Sequence, residues 1–374
     1  MLKGFYLSLM IGPAVPVPAP GPVTDALTAV QVTVGAGQRS GFQLTFAAGT
    51  KSVLNRILLP AGYFDPTVRV ILVVTVNGMP SVLMDGVITR QDLAPSNEPG
   101  QSTLTVTGED LTRMMDLIDS SGTPYPNMPA EARVAQIIAH YATYGMAPKV
   151  IPSVLMDVPV QTQRTPGQQG TDLDYINKLA DDVGYVFYLD PGPVPGTNVA
   201  YWGPEVKVGI PQPALNVNMD AQTNVESLSF GFDGFSKTLY TLAVFLSDSK
   251  QTITVPVPDT TPLNPPLGAK PIPPARMERL PGTASLDNLE VASAGLAKAS
   301  QSADVVSGSG QLDVLRYGRP LKARQLVGVR GAGITYDGLY YVKSVTHNIK
   351  RGEYKQSFTL SRNALISLTP TVPA

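Results

Sequence analysis

Alternation of apolar and polar residues is the main pattern in the first third of the chain. Segments rich in β-branched and aromatic residues are separated by turn residues, as is typical of strands joined by short connections. Asn77 and Gly78 predict a tight hairpin turn, because both residues tolerate positive φ. We therefore expect an antiparallel β-domain, a barrel or a sandwich, over about residues 1–115. Its predicted strands cover residues 29–34, 41–46, 68–76, 81–89 and 101–107.

The pattern changes to a helical period after this block. Residues 129–143 place four apolar side chains on one helix face at the spacing i, i+3, i+4, i+7. A second helix is predicted over 172–183, where Thr171 or Asp172 can act as the N-cap and Gly184 ends the helix. An aromatic strand, 185–189, follows directly. These elements predict a small α+β domain. The four apolar residues of the first helix are Val134, Ile137, Ile138 and Tyr141.

Strand patterns return in the second half of the chain. Between them we expect an extended Pro-rich connector over 256–284, because proline disfavours helix and removes backbone donors. An Ala- and Ser-rich segment, 285–304, has leucines spaced for one helix face. The order β-block, α+β, β-block indicates a duplicated architecture, although no exact repeat is present. The predicted strands of the second block are 225–230, 237–245, 326–330, 338–345 and 354–360.

The amino-acid composition argues against several classes of function. Charged residues make up 15% of the chain and the formal net charge is -1, so no basic footprint for nucleic acid or anionic membranes is present. A charge-poor surface suits a protein that is covered by neighbours, since interface cores are depleted in charge. The absence of cysteine excludes disulfides, thiolate metal sites and Cys nucleophiles. The apolar run in residues 1–11 is too short to span a bilayer, and we expect it to be a buried first strand.

Candidate chemistry is sparse, and we predict no catalytic, cofactor or metal site. His347 has no second His or Cys nearby in sequence and is expected to be a hydrogen-bonded structural residue, while His140 is expected to be solvated. Neither Gly35 and Gly37 nor Gly331 and Gly333 precede a helix, as phosphate binding requires, so both are expected to be turns. The acidic residues of the second helix are ordinary capping and surface residues. They are Asp172, Asp174, Asp181 and Asp182.

Several aromatic residues leave a second function open. Exposed on one face of a sheet, they would suit a carbohydrate-binding or cell-wall-binding adhesin, although aromatic residues in strands more often pack in the core. The residues concerned are Tyr201, Trp202, Tyr240 and Phe245.

Three groups of motifs, in order along residues 25–365, resemble one family. The first comprises Phe42–Phe46, Asp85–Thr89 and Leu104–Leu111. The second is the 171–184 helix with its aromatic strand, and the third runs from Tyr317 through Gly331 to the strand 338–347. Together they resemble the baseplate hub proteins of contractile-tailed phages and related injection systems (the late control D-type family), which are related to the hub half of type VI secretion spike proteins.

The resemblance implies a structural protein and not an enzyme. The implied fold is a β-rich α+β fold with two tail-tube-like antiparallel β-barrel domains, a small α+β domain and a helix and Pro-rich connector. A homotrimer of such subunits would adapt a sixfold tail tube to a threefold spike. The implied partners are the tail tube protein, a separate trimeric spike protein and baseplate wedge proteins. The implied location is the tail baseplate of a virion assembled in the host cytoplasm.

The predicted domain division follows from these patterns. A first tube-like β-domain covers 1–118, to which strands from 225–255 could be added. The small α+β domain covers 119–204. A second tube-like β-domain consists of 205–255 and 305–365, interrupted by the connector and helix at 256–304. The C-terminal tail, 366–374, is apolar and is expected to lie against a partner, and only a dozen residues follow the last strand.

Overall fold

The computed structural model describes residues 4–98, 100–153, 166–246, 251–258, 264–279, 295, 298–299 and 302–369. Its helices are α1 (Gly21–Ala26), α2 (Ala130–His140), α3 (Asp172–Val183) and α4 (Val314–Tyr317). Its strands are β1 (Phe5–Gly12), β2 (Val17–Pro18), β3 (Leu27–Gly35), β4 (Gly41–Ala47), β5 (Arg69–Val76), β6 (Met79–Ala94), β7 (Thr103–Asp110), β8 (Met146–Val150), β9 (Tyr185–Pro191), β10 (Asn198–Pro204), β11 (Gln212–Asn216), β12 (Val225–Phe232), β13 (Thr238–Leu246), β14 (Gln251–Pro256), β15 (Lys270–Pro271), β16 (Arg276–Arg279), β17 (Val306–Asp313), β18 (Leu326–Arg330), β19 (Gly338–Lys350), β20 (Glu353–Arg362) and β21 (Ala364–Leu365).

One sheet contains the strands of both β-blocks. Its order is β12-β17-β20-β19-β3-β4-β7-β6-β5-β1-β2, and β18 and β11 extend the sheet beside β19. The two blocks meet where β19 pairs antiparallel with β3. Together with the helices described below, this arrangement confirms the predicted β-rich α+β, tail-tube-like fold.

Alternation along the strands separates a core face from a polar face. In β3 and β4, Val30, Val32, Leu44 and Phe46 are buried, while the residues between them are more exposed. The same period-2 pattern continues in β7, β19 and β20, as expected for a sheet with one buried face. The buried side chains of both blocks form one continuous hydrophobic cluster, so the two halves share a core as well as a sheet.

The α+β unit has its own core. Its sheet has the order β8-β10-β9, with β8 and β10 parallel, and α2 and α3 pack on it. The helix α3 begins and ends as its sequence predicts. The Thr171 side chain accepts a hydrogen bond from the Asp174 backbone N–H in a capping box, and Gly184 adopts φ +70° at the C-terminal end.

The connector region is partly in strands that pair with the second half of the chain. Strand β15 pairs with β21, and β16 pairs in parallel with β13. Strand β12 pairs with β17, so the described strands of 225–255 pair within the second half of the chain and not with the first block. The predicted helix 285–304 lies almost entirely outside the described residues. The division into domains stays a prediction.

Candidate functional site

A polar, nearly uncharged face extends across seven neighbouring strands of the large sheet, from β12 to β7, and continues onto the eighth strand, β6, with the paired Arg90 and Asp92. It is the side of the sheet opposite the hydrophobic core, and hydroxyl and amide side chains dominate it. A depression of about 440 Å³ lies over its β12–β17–β20–β19 part. We call it the hydroxyl face. It comprises Gln31, Thr33, Gln43, Thr45, Thr103, Thr105, Thr107, Ser227, Ser229, Ser307, Ser309, Gln311, Ser344, Thr346, Asn348, Ser357 and Thr359.

Many polar groups of the hydroxyl face are bonded to one another across the strands. The amide of Gln31 donates to Asn348 Oδ1 at 3.2 Å, where β3 meets β19. Three hydroxyl pairs continue this pattern at distances of 2.6–3.1 Å, each between neighbouring strands. Because these donors and acceptors satisfy one another, the face has reduced capacity to bind a passing molecule. The hydroxyl pairs are Thr33–Thr346, Ser229–Ser309 and Ser344–Thr359.

Charged side chains on or beside the hydroxyl face are neutralised by near neighbours. Lys355 contacts Glu226 at 3.0 Å and Glu353 at 3.3 Å. Lys350 lies directly opposite Glu353 in the strand pairing. Further ion pairs border the face, so it carries little net charge. They are Arg90–Asp92 at 2.7 Å, Arg39–Asp116 at 2.8 Å, Arg39–Glu109 at 3.4 Å and Lys343–Asp304 at 3.6 Å.

The eight strands end in two free edges. Strand β12 pairs only with β17, and its other edge has no strand partner among the described residues. At the opposite end, the second half of β6, from Arg90 to Ala94, pairs only with β7 within the described ranges, because β5 covers only the first half of β6. Free strand edges invite pairing with a further strand unless they are covered.

Two buried arginines fasten the α+β unit to the large sheet. Arg69 in β5 donates to both carboxylate oxygens of Asp85 at 2.8 and 2.7 Å, and also to the Tyr144 carbonyl at 2.8 Å. Asn198 at the start of β10 donates to Asp85 at 2.8 Å. Arg324 contacts Asp190 at 2.9 Å and also donates to the Gly35 carbonyl. These bonds join the α+β unit to the large sheet.

His347 lies on β19 and is buried in the core. Its Nδ1 is 2.7 Å from the Tyr354 hydroxyl, and Gln356 Nε2 lies 3.2 Å from the same nitrogen. Burial lowers the pKa of His347 to about 3, so the imidazole is neutral at physiological pH. The Gln356 side chain also bonds to both backbone groups of Leu321, where its oxygen accepts at 2.8 Å and its nitrogen donates at 2.9 Å. His347 is therefore a buried, hydrogen-bonded residue of the core.

The carboxylates and glycines that were candidates for catalysis or phosphate binding instead take part in hydrogen bonds, a helix cap or a turn. Asp172 accepts hydrogen bonds from Tyr141 and Gln168 at 2.8 and 2.7 Å, and Asp174 belongs to the α3 cap. Gly331 adopts φ +87° in a turn. His140 is exposed. Within the described ranges, no group of three or more His, Cys, Asp or Glu residues is placed to hold a metal ion. Nor does any helix in those ranges have the length and apolar character needed to cross a membrane.

Two of the four aromatic residues that could bind a sugar are buried and not available for it. Trp202 is fully buried, 0% exposed, and packs edge-on against Tyr185 in the core of the α+β unit. Tyr201 is also buried and stacks on Tyr188. The alternative of a sugar-binding face therefore has no support from these two residues, because they contribute to packing. Tyr240 is half-buried, and the Phe245 side chain lies outside the described part of the chain.

Comparison with known proteins identifies the fold. No protein-family model matches the chain, and no curated protein matches it in sequence. Among solved structures, a tail protein from Neisseria meningitidis matches with a TM-score of 0.61 at 13% identity, over 97% of this chain and 98% of that chain. The 43 kDa tail protein of prophage MuSo2 from Shewanella oneidensis matches with a TM-score of 0.57 at 14% identity, over 96% and 98% of the two chains.

A third similar structure is a chain of a two-protein complex. A chain of the Francisella PdpA-VgrG complex matches with a TM-score of 0.60 at 9% identity, over all of this chain and 54% of that chain. At these identities the likeness concerns the fold. The chain therefore has the baseplate-hub-like fold of phage tail proteins, as its sequence motifs predicted.

Proposed function

We propose that this chain is a structural subunit of the baseplate hub in a contractile phage tail or a phage-like injection machine. Three copies form a ring around a central channel, and the hydroxyl face lines that channel. The observation that carries the proposal is a neutral polar face on eight adjacent strands with a free edge at each end. A wall of this kind neither attracts nor repels a charged polymer that passes along it.

The dimensions suit a channel. Eight strands from each of three copies make a barrel of 24 strands. With strands about 4.8 Å apart and tilted by about 40°, its backbone diameter is about 48 Å. Side chains on the inner face reduce this to an opening of about 35–40 Å. Each copy contributes two four-stranded units, so a threefold ring presents six similar units to a sixfold tail tube.

The ring has two proposed partners, a tail tube on one side and a separate spike on the other. We propose that the segment after β20 contacts the spike, and the hydrogen bonds of its first residues restrict this proposal to its later part. The Asn363 side chain accepts from the Leu267 backbone N–H at 2.8 Å, and the Ile366 carbonyl accepts from the Ala269 N–H at 2.9 Å. These residues stabilise the chain's own fold. A spike contact is therefore proposed for the residues after Ser367.

Cysteine labelling tests the channel, since the natural chain has no cysteine. Ser309→Cys places one thiol near the middle of the hydroxyl face. In the assembled ring a small maleimide should label it, whereas a maleimide on a rigid particle wider than the channel should not. In the dissociated monomer both reagents should react, which is the matched control. Equal labelling of ring and monomer by the large reagent would contradict the proposed function.

A further inference from the structure

The two β-blocks repeat one another strand by strand. The order β3-β4-β7-β6 in the first block corresponds to β12-β17-β20-β19 in the second. Irregularities in the pairing fall at corresponding places. The β3–β4 pairing shifts between Leu27 and Ala29, and the β12–β17 pairing shifts between Val225 and Ser227. Ala29 therefore corresponds to Ser227.

A second pair of bulges fixes the correspondence at the other end of the repeat. The β6–β7 pairing shifts between Ile88 and Arg90, and the β19–β20 pairing shifts between Val342 and Ser344. Arg90 therefore corresponds to Ser344, and the residues that follow correspond one by one. Bulges pin strand register, so two coincident bulges define the alignment of the repeats without any sequence identity.

By this correspondence, the β19–β3 pairing that joins the two blocks should have an equivalent pairing elsewhere. A single chain does not form that equivalent pairing among its described strands. Within the chain, β19 pairs with β3, with Asn348 opposite Gln31 and Ser344 opposite Gly35. The strands that correspond to β19 and β3 are β6 and β12. They lie at the two ends of the eight strands, and the edges that would meet are the two free edges described above.

We propose that the second half of β6 in one copy pairs antiparallel with β12 of the neighbouring copy, in the register of the internal β19–β3 seam. The inference rests on the proposed function and names the contact that closes the ring. In this register Ala94 lies opposite Ser229 of the neighbouring copy, and Asp92 lies opposite its Gly231. Arg90 lies opposite its Asp233.

The apolar residues of the free edges support this register. Leu93 is 42% exposed and Phe232 is 44% exposed. Leu93 corresponds to His347, which the internal seam buries to 5% exposure. In the proposed pairing, Leu93 faces Phe230 of the neighbouring copy, and Phe232 of that copy lies two residues further along the same face of the strand. Pairing would therefore remove Leu93 and Phe232 from water, and the burial of these apolar side chains favours association.

Charge supports the register as well. Arg90 and Asp233 are both exposed in the single chain, and the register places them directly opposite each other. Opposite charges at directly opposed positions of an antiparallel pair are stabilising. Asp233 directly follows β12, and a shift by two residues would put Arg90 opposite Gly231 or Phe235, neither of which carries a charge. The register that the internal seam predicts is thus also the one that pairs these charges.

Disulfide trapping tests the register. The variant Ala94→Cys/Ser229→Cys places thiols at opposed positions, where Cα atoms are about 4.5–5.5 Å apart and a disulfide can form. Mild oxidation of the concentrated full-length chain should yield covalent species of two and three copies. The matched control, Asp92→Cys/Ser229→Cys, is two residues out of register and should be trapped much less. Gln31→Cys/Asn348→Cys, at the internal seam, should form a bond within one chain and serves as the positive control.

Each outcome has a distinct meaning. Efficient trapping of Ala94→Cys/Ser229→Cys and poor trapping of the shifted pair support the inference. Preferential trapping of the shifted pair overturns the register. An oligomer that neither pair traps, while the Ser309→Cys labelling still indicates a channel, overturns the β6–β12 contact and leaves the proposed function standing. A chain that stays monomeric at every concentration and is labelled freely contradicts both.

Discussion

Removing the Asp85 carboxylate should measure how much the buried ion pair beside the α+β unit contributes to the stability of the chain. Asp85 and Arg69 are 0% and 5% exposed and share two short hydrogen bonds. The variant Asp85→Ala leaves the Arg69 guanidinium buried without its counter-charge. Breaking a buried ion pair in this way costs about 3–5 kcal/mol. The carbonyls of Tyr144 and Gly196 still accept from Arg69, which favours the lower end of that range.

The expected change in melting temperature follows from the size of the chain. Unfolding entropy of about 2.1 cal/mol/K per residue gives about 0.8 kcal/mol/K for the chain. The melting temperature of Asp85→Ala should therefore fall by about 4–6 °C, measured by differential scanning calorimetry. The double variant Arg69→Met/Asp85→Leu replaces the pair with apolar side chains and should recover most of the loss.

An exposed ion pair provides the comparison. Lys355→Met removes contacts to Glu226 and Glu353 at the surface, and solvent screening makes such pairs weak, so the melting temperature should hardly change. If Asp85→Ala melts at the wild-type temperature, or if the double variant is no more stable than Asp85→Ala, the reasoning about the buried ion pair is wrong.

Three further predictions use other parts of the chain. Gly310→Ala should lower the free energy of unfolding by about 1–3 kcal/mol, because a Cβ there would lie 2.4 Å from the Ser227 carbonyl oxygen, whereas Gly49→Ala, with open space around it, should be neutral in the same denaturation assay. Because the pKa of His347 is lowered to about 3, unfolding takes up a proton below about pH 6.5; wild-type stability should then fall with decreasing pH by up to about 1.4 kcal/mol per pH unit more than that of His347→Gln, and parallel curves would contradict this. Truncation after Ser367 should leave the melting temperature unchanged and weaken spike attachment, whereas truncation that also removes Asn363 should lower the melting temperature; equal melting temperatures would refute the internal role of that residue.

The sequence predicts those elements whose position depends mainly on neighbouring residues in the chain. The cap at Thr171 and the glycine at 184 predict both ends of α3, because they satisfy the free backbone groups of that helix. The alternating segments predict β3, β4 and β7 closely, since one face of each strand is buried against a common core.

Strand β17 was missed because its Gly- and Ser-rich sequence is typical of a turn. In the fold it lies inside the sheet, between β12 and β20. Gly308 and Gly310 are needed there because Phe230 and Phe358 pack where a Cβ would otherwise lie, at 3.1 and 2.7 Å. Only the pairing of strands distant in sequence brings these aromatic rings over the glycines. Propensity alone therefore favours the wrong structure at this position.

The sequence also does not predict the hydroxyl face. Alternation indicates that Thr33 and Thr346 are on the polar side of their strands, but their strands are more than 300 residues apart in the chain. Which strand lies beside which depends on the β3–β19 pairing, a non-local contact without a local signal. Likewise, the burial of Trp202 depends on how α2 and α3 cover the small sheet.

The number of copies in the ring tests the central claim most directly. Native mass spectrometry of the assembled hub, released from the particle or formed from the concentrated chain, counts the subunits. Three chains of 39.6 kDa give a closed ring of about 119 kDa, with 24 strands around its channel. We predict that mass, together with threefold symmetry in projection images. A ring of six copies, or a closed twofold dimer, would contradict the account.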